Sequence, residues 1–220
     1  MATKEPTSEP HHFLYLTRGP NSTITVNLAK AKGNPAPLYS VTHNPKMHKM
    51  EIRRLRCDAA SEQRPVGAVK LRTLPPRVEV TVRGAAFKMA RRHPLSTSLA
   101  FRFLGAGEMR WERLPGKARG MRLVDFNGSV RAHFRPRMHI RVLEDPAGGG
   151  GADERKRQQN AGGMGNKAGW GPGFELHAAK LADLDLDLIV TTGLAVAEYR
   201  RQLDEDWDDV AEESERGRSG

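Results

Sequence analysis

The sequence contains little cysteine and no long apolar run. Cys57 is the single cysteine among 220 residues, which excludes a disulfide framework within the chain and is typical of a reducing compartment. The longest apolar run covers ten residues, 188–197, whereas a membrane-spanning helix needs about 20. The N-terminal residues lack the apolar stretch of a secretory signal. The sequence therefore predicts a protein that is neither secreted nor membrane-spanning, located in the cytoplasm, in the nucleus or peripherally at a membrane.

The sequence also lacks the common catalytic motifs. It contains no G-x-S-x-G nucleophile motif, no H-E-x-x-H zinc motif and no phosphate-binding P-loop. One cysteine cannot complete the usual structural zinc sets. The eight histidines, which include His43, His48, His93, His133 and His139, are expected to be surface or half-buried strand residues. We therefore predict no enzyme activity, no cofactor and no metal site.

Short segments rich in β-branched and aromatic residues recur along the chain. Twelve of them are predicted as strands: residues 13–18, 23–28, 38–42, 50–55, 66–72, 78–83, 99–104, 109–113, 121–124, 130–134, 139–143 and 174–178. In segment 78–83 valines alternate with Glu79, Thr81 and Arg83, which predicts one buried face and one hydrated, basic face. Asn127-Gly128 predicts a tight hairpin turn. Strands at such spacing are typical of an all-β sandwich or barrel.

Three segments fall outside this pattern. Residues 1–11 are polar and without periodicity, and are predicted to be a disordered tail. Residues 144–173 are rich in glycine and have almost nothing to bury, so we predict a long disordered insert in a surface loop. Residues 204–220 are predicted to be an acidic tail, either continuing a helix or disordered. Residues 12–203, including the insert, are then one domain.

One segment, 181–203, is predicted to be a helix. Three aspartates lie near its beginning, Asp183, Asp185 and Asp187, and two arginines near its end, Arg200 and Arg201. The helix dipole favours this distribution of charge. Residues 188–197 have no polar face, and a helix that is apolar on every side must be enclosed. Small residues at 193, 195 and 197 make this helix thin. The pattern predicts a closed β-barrel around a hydrophobic C-terminal helix.

Residues 184–199, LDLDLIVTTGLAVAEY, resemble the C-terminal helix of fungal tubby C-terminal-like proteins. Further resemblances follow in the family's order: FRF at 101–103 with MRWER at 109–113, the hairpin pattern L-x-D-x-x-G-x-x-x-A-x-F at 123–134, and GFEL at 173–176. The resemblance spans residues 12–203, and the glycine-rich insert departs from it.

The resemblance implies a fold and a class of ligand. In this superfamily, which includes phospholipid scramblases and LURP-one-related proteins, about twelve strands form a barrel around the C-terminal helix. Tubby binds phosphatidylinositol 4,5-bisphosphate through lysine and arginine residues of the barrel wall. Neither the calcium site nor the cysteine-rich stretch of scramblases has a counterpart here, so the resemblance does not imply scramblase activity.

Positive charge is concentrated in the body of the chain. The net charge of the whole chain is +10. Before Asp183 there are 32 basic and 14 acidic residues, a net charge of +18, whereas the remainder has 4 basic and 12 acidic residues, a net charge of −8. Such a basic body attracts polyanions. The residues predicted to converge on a basic barrel wall are Lys70, Arg72, Arg77, Arg83, Lys88, Arg91 and Arg92.

Several interpretations of this charge stay open. The wall binds anionic phospholipid headgroups, or a protein partner, or its cations are only the solvated faces of alternating strands. The acidic tail either solubilises the protein or lies on the wall and competes with an anionic ligand. Aromatic residues are 6% of the chain and do not interleave with the cations as base-stacking platforms do. Specific nucleic-acid binding is therefore not expected, although weak non-specific binding is.

Overall fold

The computed structural model describes residues 12–19, 23–29, 35–55, 65–72, 77–91, 93, 96–115, 119–139 and 170–216, with side chains of the last segment as far as Leu203. The predicted tail 1–11 and residues 144–169 of the predicted insert lie outside the described residues. Residues 170–173, assigned to the insert by sequence, instead form the beginning of a strand.

Twelve antiparallel strands form one sheet. They are β1 (His12–Arg18), β2 (Thr23–Leu28), β3 (Ala36–Asn44), β4 (Lys49–Arg54), β5 (Pro65–Arg72), β6 (Arg77–Val82), β7 (Ala85–Met89), β8 (Leu99–Phe103), β9 (Gly107–Arg113), β10 (Met121–Asp125), β11 (Val130–His139) and β12 (Trp170–Leu176). Each strand pairs with the next strand along the chain, apart from β7 and β8, which are the two edge strands of the sheet. The first and last strands, β1 and β12, also pair with each other.

Two strand predictions differ from this arrangement. Segment 85–89 was not predicted and forms β7. His139, predicted as the first residue of a separate strand at 139–143, is in a strand but is the last residue of the longer strand β11. Residues 140–143 lie outside the described residues. The other eleven predicted strands each overlap an observed one.

The sheet closes into a barrel between β7 and β8. The backbone groups of Ala90 and Ala100 exchange two hydrogen bonds, at 3.0 and 2.8 Å. On the same seam, the ring of Phe87 stacks on Phe101 at 5.3 Å between centroids and meets Phe103 edge-on at 5.4 Å. Short pairing supplemented by aromatic packing therefore joins the two terminal strands, and the predicted barrel is confirmed as nearly closed.

The first part of helix α1 (Leu186–Arg216) lies inside this barrel. Residues 187–196 are all buried, including Thr191 and Thr192 at 0% exposure, so the predicted enclosed helix is confirmed. It begins later than predicted because residues Leu181–Asp183 form a separate 3-10 turn, and it continues through the first part of the predicted acidic tail. In the described part of the chain, no helix combines the length and apolarity needed to cross a membrane.

The helix and the wall approach closely at two glycines. A Cβ added to Gly193 would lie 2.3 Å from the ring of Phe174 and 3.2 Å from that of Trp111. A Cβ added to Gly67 of β5 would lie 2.2 Å from the Thr191 hydroxyl. Glycines on the helix and on the wall thus allow close contact between the two, as in any closely packed interior.

A buried carboxylate anchors the beginning of the helix. Asp187 accepts hydrogen bonds from the Tyr39 hydroxyl at 2.9 Å, from Arg54 at 2.7 Å and from Arg83 at 3.4 Å. Asp185 accepts the backbone N–H of Leu188 at 3.1 Å, which satisfies a donor in the first turn. Burial, together with the Asp187 charge, raises the pKa of Tyr39 above its ordinary value. Hydrogen bonds and ion pairs to residues of the wall therefore hold the beginning of the helix in place.

A second carboxylate lies where the enclosed part of the helix ends. Glu198 is buried and accepts two hydrogen bonds from Arg201, at 2.9 and 2.6 Å. His43 of β3 lies 3.4 Å from the same carboxylate. Burial acts to raise the pKa of Glu198, but the hydrogen bonds and the neighbouring positive charge outweigh it and hold the pKa below its ordinary value.

Candidate anion-binding site

One row of charged side chains crosses the outer face of β4–β7. The register places Lys70 of β5 opposite Lys49 of β4 on one side and opposite Glu79 of β6 on the other. Glu79 in turn lies opposite Lys88 of β7. The flanking residues Val69, Leu71, Val78 and Val80 are buried, so strand alternation directs the charged row outward. Three ammonium groups and one carboxylate thus share one strip of the wall.

Two arginines extend this strip along the strands. Arg72 and Arg77 are directly opposite each other, and both reach the same oxygen of Glu79, at 2.8 and 3.4 Å. The hydrogen bond from Arg72 holds the pKa of the Glu79 carboxyl below its ordinary value. Glu79 therefore stays ionised at neutral pH and holds two cations that would otherwise repel each other.

A groove of about 560 Å³ runs beside the row. Its lining comes from β3 to β6 and comprises Thr42, Asn44, Lys49, Met50, Glu51, Arg53, Ala68, Val69, Lys70, Glu79 and Thr81. We use the name basic groove for this groove together with the adjacent cations Arg72, Arg77 and Lys88. The basic groove has six cationic and two anionic side chains, a net charge of +4.

The cations of the basic groove differ in their partners. Arg53 pairs with Glu51 at 2.6 Å, and Arg72 and Arg77 pair with Glu79 as above. Within the described part of the chain, the ammonium groups of Lys49, Lys70 and Lys88 form no ion pair within 4 Å. Three point-charge donors are consequently available to phosphate oxygens, with hydroxyls of Thr42 and Thr81 beside them.

The structure gathers four of the seven predicted wall residues, Lys70, Arg72, Arg77 and Lys88, in the basic groove. Arg83 lies elsewhere, in the turn after β6, and donates to both oxygens of Asp185 at 2.7 and 2.5 Å. The guanidinium of Arg91 lies 5.5 Å from the centre of the Tyr199 ring of α1. Arg92 lies outside the described residues.

Two cations of the groove, Lys49 and Arg53, were missed by sequence reasoning. Both lie on β4 and reach the groove because β4 pairs with β5. The alternation K-M-E-I-R at 49–53 contains the signal, because Lys49, Glu51 and Arg53 face the same side when Met50 and Ile52 are buried.

A second pocket, of about 490 Å³, lies near the beginning of the helix. Its arginines are already paired, Arg83 with Asp185 and Arg131 with Asp125 at 2.7 Å. Leu104, 94% exposed, and Phe126, 72% exposed, flank it on two hairpin turns. Because its cations are neutralised, this pocket is a poorer anion site than the basic groove.

A compact group of titratable residues lies on β11 and β12. His133 and Glu175 are opposite each other, with Nδ1 3.1 Å from Oε2, and Nε2 of His177 is 3.2 Å from the same Nδ1. Arg135 donates to the other Glu175 oxygen at 2.5 Å. Burial acts to raise the pKa of Glu175, but the hydrogen bonds from His133 and Arg135 hold it below its ordinary value.

No model of a known protein family, no curated protein and no solved structure matches this chain. Membership of the tubby C-terminal-like superfamily therefore stays a prediction from the sequence resemblance.

Proposed function

We propose that this chain is a tubby C-terminal-like barrel without enzymatic activity that binds anionic phospholipid headgroups, phosphoinositides above all, through the basic groove. The observation that carries the proposal is the convergence of Lys49, Lys70 and Lys88, three lysines without an ion pair in the described part of the chain, along a groove of net charge +4. The sequence resemblance supports the same ligand class.

The expected contribution of the groove follows from its charge. A lysine or arginine near an anionic membrane surface contributes about 1 kcal/mol. The three lysines together therefore contribute about 3 kcal/mol, which corresponds to roughly a 150-fold change in affinity. Arg72 and Arg77 contribute less, because Glu79 already neutralises part of their charge.

The experiment compares two charge-matched triple variants. The groove variant replaces Lys49, Lys70 and Lys88 by alanine, and the control replaces three exposed arginines of other strands, Arg18, Arg102 and Arg113, by alanine. Both lose three positive charges, so their net charges are equal. Binding is measured by flotation with vesicles that contain phosphatidylinositol 4,5-bisphosphate at physiological salt, after circular dichroism has established that both variants are folded.

The groove variant is expected to bind these vesicles about 150-fold more weakly, and the control is expected to lose only a few-fold. Equal losses would mean that net charge alone drives binding, which would overturn the assignment to this groove. An unchanged groove variant would also overturn it and would direct the search to a protein partner.

A further inference from the structure

Three metal-ligating side chains meet on the outer wall of the barrel, on strands other than those of the basic groove. His133 and Glu175 are paired across β11 and β12. His177 is two residues after Glu175, and its backbone N–H still donates to the carbonyl of Arg131 at 3.0 Å. Ala132, Phe134, Phe174 and Leu176 are buried, so alternation directs all three ligands to the same face.

The spacing of the three ligand atoms matches a metal coordination sphere. Nδ1 of His133 is 3.1 Å from Oε2 of Glu175 and 3.2 Å from Nε2 of His177, and all three atoms lie within 4.8 Å of one another. Ligands bound to zinc at about 2.0–2.2 Å in a tetrahedron are about 3.3–3.6 Å apart. Small side-chain rotations bring the third pair to that separation.

Nδ1 of His133 faces the ligand atoms of both other residues. The Nδ1 atom of His133 carries at most one proton, yet it has two neighbours at hydrogen-bond distance. When the proton of the neutral imidazole is on Nε2, Nδ1 of His133 directs its lone pair toward both neighbours. A single cation between the three atoms accepts a lone pair from each of them.

We propose that His133, Glu175 and His177 form a binding site for a first-row divalent metal ion, zinc being the ion best matched to two imidazoles and one carboxylate. Three protein ligands leave a fourth tetrahedral position for water or an exogenous ligand. The site is accessible, because the side chains of His133 and Glu175 retain 17% and 13% exposure.

Arg135 is a positioning residue for this site. It binds Oε1 of Glu175, which leaves Oε2 directed toward His133 and makes the carboxylate a one-oxygen ligand. Partners of this kind fix ligand orientation, and their loss costs metal affinity. The positive charge of Arg135 also favours an exchangeable ion over a permanently bound one, since it opposes the charge of the metal.

The test is titration of the full chain with zinc by calorimetry and with cobalt by visible absorption, which reports tetrahedral coordination. His177→Ala removes one ligand at a position beyond the end of β12, where the backbone pairing does not depend on the side chain. Glu175→Gln preserves size and removes the charge. His93→Ala, which removes an exposed histidine outside the cluster, is the matched control for the loss of an imidazole.

The expected result is one zinc per chain in the parent and in His93→Ala, with affinity reduced about 100-fold or more in His177→Ala and Glu175→Gln. Zinc is also expected to raise the Tm of the parent but not of His177→Ala. Failure of the parent to bind zinc, or equal affinity in the parent and His177→Ala, would overturn the proposal. If Glu175→Gln does not fold, the His177→Ala and His93→Ala pair decides alone.

Discussion

Replacement of Gly193 by alanine tests how closely the wall encloses the helix. In a solvent-exposed helix this change is favourable, because alanine has a helix propensity about 1 kcal/mol better than that of glycine. Here the added methyl group would lie 2.3 and 2.9 Å from two atoms of the Phe174 ring and 3.2 Å from the Trp111 ring. The propensity and the packing therefore predict opposite signs for the change in stability.

Packing is expected to prevail. Phe174 and Trp111 are 0% exposed, so neither ring can move outward without displacing other core side chains. Overpacking of this kind costs about 1–3 kcal/mol, and the contact at 2.3 Å favours the upper part of that range. After the propensity gain of about 1 kcal/mol is subtracted, we expect Gly193→Ala to lower the free energy of unfolding by about 1–2 kcal/mol.

The assay is urea unfolding followed by far-UV circular dichroism, with the midpoint and the m-value fitted separately. A double-mutant cycle with Phe174→Leu isolates the contact, because the smaller side chain vacates the position that the new methyl group needs. The double variant should lose less stability than the sum of the two single losses. A Gly193→Ala protein at least as stable as the parent would refute the close packing of helix and wall.

Four further predictions concern the helix and its contacts with the wall. Thr192→Val should lower the free energy of unfolding by about 1–3 kcal/mol, because the Thr192 hydroxyl accepts the buried Trp111 indole N–H at 3.0 Å. Thr191→Val should be neutral or stabilising, since among the described residues its buried hydroxyl has no hydrogen-bond partner. The urea midpoints of the two threonine variants measure both effects. The native pKa of Glu198 lies below its ordinary value of 4.5, so the ionised carboxylate contributes its full stabilisation above pH 4.5, and this contribution is lost as the pH falls through the native pKa. The urea midpoint should therefore decrease when the pH is lowered below 4.5, and it should decrease less in Glu198→Gln. Leu194→Asp should abolish folding, measured as loss of the cooperative transition, because Leu194 is 4% exposed and an unpaired buried carboxylate costs several kcal/mol.

Each of these expectations has a contradicting result. Equal midpoints for the two threonine variants would contradict the hydrogen bond that distinguishes them. An acid limb that is unchanged in Glu198→Gln would remove that carboxylate from the pH dependence. A soluble, native-like Leu194→Asp protein would contradict the enclosed helix.

Much of the fold follows from local sequence pattern, and the exceptions have local causes. The alternation at 78–82 and the all-round apolar run at 188–197 correctly predict a wall strand and an enclosed helix. The strand β7 was missed because it begins after a two-residue turn at Arg83 and Gly84, both with positive φ, at 47° and 82°. Arginine is uncommon in that conformation, so the turn could not be read from the residue types.

The candidate sites depend on register, which the sequence predicts less well. Lys70 was predicted because it lies on a predicted strand and Lys88 because it lies shortly after one, whereas their convergence on Glu79 requires the pairing of β5, β6 and β7. Arg83 was predicted to lie on the same wall, yet it forms ion pairs with Asp185 and Asp187 at the beginning of the helix. His133 is separated from Glu175 by 42 residues and from His177 by 44, so no local sequence motif predicts that cluster.

The most direct test of the proposed function is co-sedimentation of the full chain at physiological salt with two sets of vesicles of equal surface charge. One set contains phosphatidylinositol 4,5-bisphosphate and the other phosphatidylserine. Because clustered lysines along a groove favour a multiply charged headgroup over a diffuse surface charge, we predict tighter binding to the phosphoinositide vesicles. Equal binding to both sets, or binding to neither, would contradict headgroup recognition by the basic groove.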